Sequence, residues 1–182
     1  RDGETPSKKL KSIWIEKEFH TEKGQSLFNM LFETKYKIFQ SPKSVDFIKQ
    51  TISMASNFQT GIILDFFAGS GTTAHAVMQL NAEDGGNRKC ISVQLPELTD
   101  EKSEAFKAGY KNIAEISKER IRRAAKKIKE ENPDYQGDLG FKVFKLDSSN
   151  IKRWEAGFDS LKEDLIASVD YIKNDRSNED IV

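Results

Sequence analysis

The stretch Gly61–Gln79, GIILDFFAGSGTTAHAVMQ, limits the fold more than any other part of the chain. An apolar run, Ile62, Ile63 and Leu64, leads to one acid, Asp65. Two aromatics, Phe66 and Phe67, and Ala68 precede the glycine turn Gly69-Ser70-Gly71. Thr72 to Leu80 then has helical character. Strand, acid, glycine turn and helix in that order make the first half of a nucleotide-type βαβ unit. A short apolar run bounded by turn residues predicts a strand buried on both faces of a parallel sheet. Gly69 and Gly71 let the backbone turn sharply and let a ligand come close. Thr72 and Thr73 are expected to cap the helix, leaving its free N–H groups facing whatever lies over the turn.

Three ligands compete for such a turn. A phosphate-binding P-loop needs a lysine after its second glycine, and Thr72 follows Gly71, so that reading fails. Gly69, Gly71 and Ala74 satisfy the dinucleotide pattern G-x-G-x-x-A, so the turn alone does not exclude a dinucleotide. Asp65 counts against it, because a carboxylate ahead of the turn would repel a pyrophosphate. The same carboxylate suits a ligand with a cationic ammonium. S-adenosylmethionine carries a sulfonium and an ammonium and has no phosphate.

The remaining chain bounds the class. Its 182 residues suffice for one domain with a proper core. Basic and acidic residues balance at 29 each, so no global charge draws it to nucleic acid. Cys90 is the single cysteine, which excludes an intrachain disulfide and suits a small apolar role in a buried strand. No signal peptide or transmembrane run is present, which points to the cytoplasm and to no membrane partner.

Residues 1–11 are polar and read as loose, and Ser12–Ile15 reads as a short strand or docking segment. Glu16–Gln25 reads as a polar loop in which His20, with no ligands at metal spacing, is solvated. Ser26–Phe32 reads as a short helix. Pro42 is placed to open the first turn of a helix, and Val45, Ile48, Ile52 and Ala55 make Ser44–Ala55 amphipathic. His75 reads as a packing or surface residue rather than a catalyst. Asn81–Lys89 reads as a loop around Asp84-Gly85-Gly86-Asn87, and Lys89–Leu95 as the second parallel strand. Phe106, Tyr110, Ile113, Ser117, Ile121, Ala124 and Ile128 share one helical face, and Asn132-Pro133-Asp134 ends that helix. The opposite face carries Lys111, Lys118, Arg122, Arg123, Lys126 and Lys129, diluted by Glu115, Glu119 and Glu130. It reads as solvated rather than DNA-facing. Phe141–Leu146 reads as a third strand near a sheet edge. Ser148-Ser149-Asn150 is placed to cap a helix at Ile151–Ala156, a further helix is expected at Asp159–Tyr171, and Asn174–Val182 reads as a frayed tail.

DFFAGSGTTAHAV resembles motif I of the amino-group DNA methyltransferases, in particular the modification subunit of type III restriction–modification systems. Phe39-Gln40-Ser41-Pro42-Lys43-Ser44 resembles the family's motif X, which lies upstream of motif I in the β-type order. CISVQLPE, Cys90–Glu97, resembles the second strand and motif II. DLGFKVFKLDSSN, Asp138–Asn150, is similar to a segment near the end of these subunits. The resemblance covers nearly everything from about Trp14 onward. It implies that Asp65 holds the methionine end of S-adenosylmethionine and that Phe66, Phe67, Ala68, Gly69, Ser70, Gly71, Thr72 and Thr73 shape the pocket floor. It further implies that Phe39, Ser41, Pro42, Lys43 and Ser44 close the methionine side. Either Gln94 or Glu97 grips the ribose. Ser44 stands where the family often has a second proline. The catalytic Asp/Asn-Pro-Pro-Tyr/Phe/Trp box does not occur, because none of the four prolines adjoins another.

The chain is thus expected to be the C-terminal half of a Rossmann-like, three-layer α/β methyltransferase domain, with strand order 3-2-1. Residues 1–25 form a polar extension, 26–156 the cofactor half and 157–182 a helix and tail. The expected function is the cofactor-binding part of an adenine-N6 DNA methyltransferase, partnered by DNA and by the system's restriction subunit. No catalytic or metal-ligating residue is assigned, and the piece is not expected to methylate alone. The free edge of the motif I strand is expected to pair in a homodimer or to be covered by the N-terminal segment. Two other classes are weighed against this. One is a nucleotide-fold interaction module without a cofactor. The other is an NAD-dependent oxidoreductase, which needs a ribose acid that the strand Lys89–Leu95 lacks.

Overall fold

A computed structural model describes residues 14–55 and 59–147. The loose segment expected at 1–11, Ser12 and Ile13 of the docking segment, the cap at 148–150, the helices at 151–156 and 159–171 and the tail at 174–182 lie outside the described residues. Among the described residues, those as far as Gly140 belong to one compact unit and 141–147 to another.

The first unit is built on two parallel strands, β1 (Thr60–Asp65) and β2 (Asn87–Ser92), with Ile63 opposite Cys90 and Asp65 opposite Ser92. The connection between them is a helix, α3 (Thr72–Asp84), so the βαβ unit read from the sequence is formed. Before β1 come a 3-10 turn at Lys17–Phe19 and two helices, α1 (Thr21–Leu31) and α2 (Val45–Ala55). After β2 come a short helix, α4 (Glu104–Lys107), and a long one, α5 (Ile113–Glu131), which stops at Asn132 as expected.

Helices α2 and α5 flank α3. Ile63 and Cys90 point toward them and pack with Ile52, Val77 and Leu80. Ala74, Met78, Ile121 and Ile128 continue this core between α3 and α5. A second core of Phe28, Leu31, Phe32, Ile38, Ala105 and Ile116 joins α1, α4 and α5. Each large apolar side chain fully buried there contributes roughly 1.5–3 kcal/mol.

The sequence predicts β1 to be buried on both faces. Among the described residues it is covered on one. Ile62 and Leu64 are 68% and 57% exposed, and Ile91 on β2 lies on the same open face. Side chains alternate across a strand, so helices on one side cover only every second residue. The described residues therefore form two layers rather than three. The third strand expected at Phe141–Leu146 is also absent, since residues 141–147 have no regular secondary structure. A strand is defined by its ladder, and the alternation breaks where Val143 and Phe144 stand side by side.

Three local boundaries differ from the sequence reading for identifiable reasons. Helix α3 runs through the expected loop Asn81–Lys89 as far as Asp84 and leaves only Gly85-Gly86 as the link. The buried Asn81 amide imitates backbone here: it donates to Arg88 O at 2.9 Å and accepts from Arg88 N at 3.1 Å. Gly85 is left-handed at φ 69°, and Asp84 takes a forked pair from Arg88 at 3.0 and 2.7 Å. That hydrogen bonding holds the Asp84 carboxyl below its ordinary pKa. Strand β2 ends at Ser92 rather than Leu95, although Val93 N still donates to Asp65 O at 2.8 Å. Pro42 does not open the first turn of α2. Ser44 is the cap, accepting from Phe47 N at 3.3 Å and donating to Glu18 O at 2.5 Å, while Pro42 stands buried two residues earlier.

Helix α1 starts five residues before the expected Ser26 and absorbs much of the polar segment read as a loop. Gly24 explains the difference. It is buried, and a Cβ on it would lie 2.2 Å from Pro42 O and 2.7 Å from the Lys43 carbonyl carbon. The polar helix is held by backbone contact, which leaves no hydrophobic signature. Gly24→Ala is expected to cost about 2 kcal/mol, lowering the melting temperature by roughly 4–8 °C in a circular-dichroism melt. An unchanged melt would contradict this packing.

His75 on α3 is buried, as a packing residue, and burial pushes its pKa down from 6.5 to about 3, with nearby Arg120, Lys127 and Lys49 adding to the effect. The folded chain therefore resists a proton that the unfolded chain accepts. Below about pH 6.5 stability falls as pH falls, at up to about 1.4 kcal/mol per pH unit while only the unfolded state is protonated. Urea titrations of the native chain and His75→Gln at pH 7 and pH 5 are expected to show a steeper acid loss in the native chain. Parallel losses would contradict the assignment.

Candidate functional site

The turn after β1 is closed by side chains that the sequence reading gave other tasks. Gly69 and Gly71 are left-handed, at φ 54° and 77°, a conformation that glycine adopts without the Cβ penalty. Gly71 is also the cap residue of α3, and no side chain caps that helix. The capping expected of Thr72 and Thr73 does not occur, because both hydroxyls are committed elsewhere. Thr73 Oγ1 donates to Asp65 Oδ2 at 2.6 Å. Thr72 Oγ1 accepts from the Arg120 guanidinium at 2.7 Å.

Asp65 holds the near side of the turn. Its Oδ1 accepts Phe67 N at 3.1 Å while Oδ2 accepts Thr73. A carboxylate offers about four acceptor positions, so two are left for a ligand cation. Phe66 and Phe67 stand beside it on an open surface, Phe67 being 81% exposed. Ala68 is buried, and its N–H donates to Val93 O at 3.1 Å, which ties the turn to the end of β2.

Gln94 meets the same turn. Its Oε1 accepts Gly69 N at 2.7 Å, and its Nε2 donates to Leu95 O at 3.1 Å. Glu97 is exposed, with its backbone oxygen accepting Ile113 N at 2.9 Å. The two candidate ribose contacts therefore differ: Gln94 is already engaged with backbone, whereas the Glu97 carboxylate stands in solvent.

The motif X candidate reaches the turn through one ring. Phe39 Cζ lies 3.5 Å from where a Cβ on Gly69 would stand, and the Phe39 ring packs on Phe28 at 6.2 Å between centroids. Ser41 is left-handed at φ 52°, an uncommon conformation for a residue with a Cβ. Pro42 and Ser44 are buried and Lys43 is exposed. Phe39 and the turn are thus brought together, whereas Ser44 serves as a helix cap.

Ser70 and Thr72 face inward. Both are buried, and both accept from Arg120 on α5, at 2.8 and 2.7 Å. Sequence reading missed Arg120 among the charges of that helix. The signal was its position, three residues after Ser117 and four before Ala124, on the face with the apolar residues.

The cationic stripe of α5 is largely paired. Lys118–Glu115 and Arg123–Glu119 both close at 2.6 Å, and Arg122–Glu119, Lys126–Glu130 and Lys127–Glu131 lie at 3.6–3.8 Å. His20 and the acids form no metal cluster among the described residues. Two cavities lie elsewhere, one of about 340 Å³ beside Tyr110 and Asn112 and one of about 210 Å³ beside His75 and Lys127. No residue read as cofactor-binding lines either one. No helix among the described residues is long and apolar enough to cross a membrane.

Comparison with known proteins agrees with the motifs. The DNA methylase family model matches residues 1–126. The Mod subunit of the type III restriction-modification enzyme StyLTI of Salmonella typhimurium is 49% identical over 109 residues, covering 60% of this chain and 17% of that protein. The EcoPI Mod subunit of Escherichia phage P1 is 39% identical over 141 residues, covering 78% of this chain and 21% of that protein. The EcoP15I Mod subunit of Escherichia coli is 43% identical over 116 residues, covering 64% of this chain and 17% of that protein. The chain therefore spans between 17% and 21% of the length of these relatives. A match that runs through both strands and α3 into α5, over well more than half the residues, makes this chain a member of the DNA methylase family.

Proposed function

We propose that this chain is the S-adenosylmethionine-binding part of an adenine-N6 DNA methyltransferase of a type III restriction–modification system. The observation that carries the reading is the convergence of Asp65, two left-handed glycines, Gln94 and Phe39 on one turn. The names of the three Mod relatives support the system, and the parallel βαβ unit of β1, α3 and β2 is compatible with a Rossmann-like fold.

The donor set fits the cofactor. Asp65 has acceptor positions left for the cationic ammonium, and the turn carries no lysine that would favour phosphate. Left-handed Gly69 and Gly71 keep Cβ atoms out of the ligand's path. The bound cofactor supplies an electrophilic methyl group. Within this chain, Asp65 binds the methionine end. The backbone of Gly69–Thr73 forms the floor, with Phe66, Phe67 and Ala68 beside it. Phe39, Ser41, Pro42, Lys43 and Ser44 border the methionine side. Glu97 contacts the ribose hydroxyls and Gln94 holds the floor, or Gln94 exchanges its bond to Gly69 for the ribose. The whole protein flips the target adenine out of the duplex to bring N6 to the methyl group. DNA and the restriction subunit are the whole protein's partners; in this chain alone, the β1 edge that is unpaired among the described residues takes either a second copy or the N-terminal segment.

A second reading, an interaction module without cofactor, is favoured by the exposed Ile62, Leu64 and Ile91. Titration calorimetry separates the two. The native chain is expected to bind S-adenosylmethionine, and Asp65→Ala to bind it about tenfold or more weakly. Absence of heat with the native chain would overturn the cofactor reading and leave the interaction module. A second assay addresses catalysis: with no Pro-Pro box, the chain alone is expected to transfer no labelled methyl group to adenine-containing DNA. Measurable transfer would contradict the division of labour.

A further inference from the structure

We propose that Arg120 is a positioning residue for the cofactor turn: from α5 its guanidinium fixes the hydroxyls of Ser70 and Thr72 and so sets the backbone shape that meets the ligand. This rests on the reading that the turn binds S-adenosylmethionine.

Arg120 is 0% exposed, the largest fully buried side chain among the described residues. Its Nη1 donates to Ser70 Oγ at 2.8 Å and Thr72 Oγ1 at 2.7 Å, and those oxygens lie 3.3 Å apart. One nitrogen thus grips the turn on both sides of Gly71. The guanidinium carbon stands 5.5 Å above the Phe28 ring, which also packs on Phe39. Phe39 in turn reaches the Gly69 position at 3.5 Å. Arg120 therefore lies between the turn and the ring that borders it. One helical turn earlier, Ser117 Oγ and O would be 3.0 and 3.1 Å from a Cβ on Gly71, so α5 presses on the turn at a second point.

A merely structural filler would not need this side chain. Burying a charge is costly, and an apolar side chain of similar volume fills a core with less penalty. Among the described residues the partners of this guanidinium are hydroxyls, and its Nε and Nη2 have no hydrogen-bond partner. Burial lowers its pKa only to about 10, so it remains a cation at neutral pH. What the guanidinium supplies beyond volume is a pair of hydrogen bonds from one planar nitrogen to two hydroxyls that flank a left-handed glycine. A loop held in its bound shape loses less entropy when the ligand arrives, which raises affinity with no added ligand contact.

The test is affinity measured on folded protein. Calorimetry with S-adenosylmethionine, well below each melting temperature, compares the native chain, Arg120→Met, Arg120→Lys and Ser70→Ala. Arg120→Met keeps volume and loses the donors, and its affinity is expected to fall about tenfold or more. Arg120→Lys keeps a charge and a donor and is expected to recover most of that loss. Ser70→Ala leaves Thr72 for Arg120 and is expected to weaken binding about threefold or more, so the test stands even if Arg120→Met does not fold. In the double variant of Arg120→Met and Ser70→Ala, the second change is expected to add little, because both act through one contact. Native affinity in folded Arg120→Met or in Ser70→Ala would overturn the assignment while leaving the cofactor reading intact. No binding by the native chain would overturn the cofactor reading and this inference together.

Discussion

A backbone that passes through two left-handed glycines within three residues does not hold that shape unaided, because glycine is the residue with most conformational freedom to lose. Here three segments of the chain hold it. Asp65 takes Phe67 N and the Thr73 hydroxyl from the strand side. Gln94 takes Gly69 N from two residues beyond the end of β2. Arg120 takes Ser70 and Thr72 from α5. The Asp65 clamp is local, and the other two depend on different pieces of tertiary structure: β1 and β2 must pair in register for Gln94 to arrive, and α5 must pack on α3 for Arg120 to arrive. The rest of the fold is the means by which distant residues reach one bend.

This division explains which parts of the site were legible in the sequence. The apolar run, the acid and the glycines are local signals, and the βαβ unit follows from their order. The Gln94 and Arg120 clamps are not local. Gln94 lies 25 residues from Gly69 and Arg120 lies 50 from Ser70. Nothing near Thr72 reveals that its hydroxyl is held by Arg120, and Asp65, eight residues before Thr73, takes the other hydroxyl, so helix capping is the natural expectation although Gly71 is the cap. Gln94 is legible as a candidate ribose contact, but its bond to Gly69 is not. Arg120 was hidden by its charge, since a cation on a helix with glutamates at helical spacing reads as surface.

Helix limits failed where backbone or amide contacts replace hydrophobic ones. Gly24 against Pro42 and Asn81 against Arg88 each extend a helix into polar sequence. Burial failed for the opposite reason. The Ile62–Leu64 run has the composition of a doubly covered strand, and the described residues cover one side. Among the described residues, Ile62, Leu64 and Ile91 form an open face next to an unpaired edge of β1, in a chain that spans 17–21% of the length of its Mod relatives.

Amide hydrogen exchange with and without S-adenosylmethionine addresses the turn most directly. The account predicts slowed exchange on cofactor addition at Gly69–Thr73 and across 39–44, with no change around the cavity beside His75 and Lys127. Exchange at Gly69–Thr73 that is indifferent to the cofactor, or protection confined to that cavity, would contradict it.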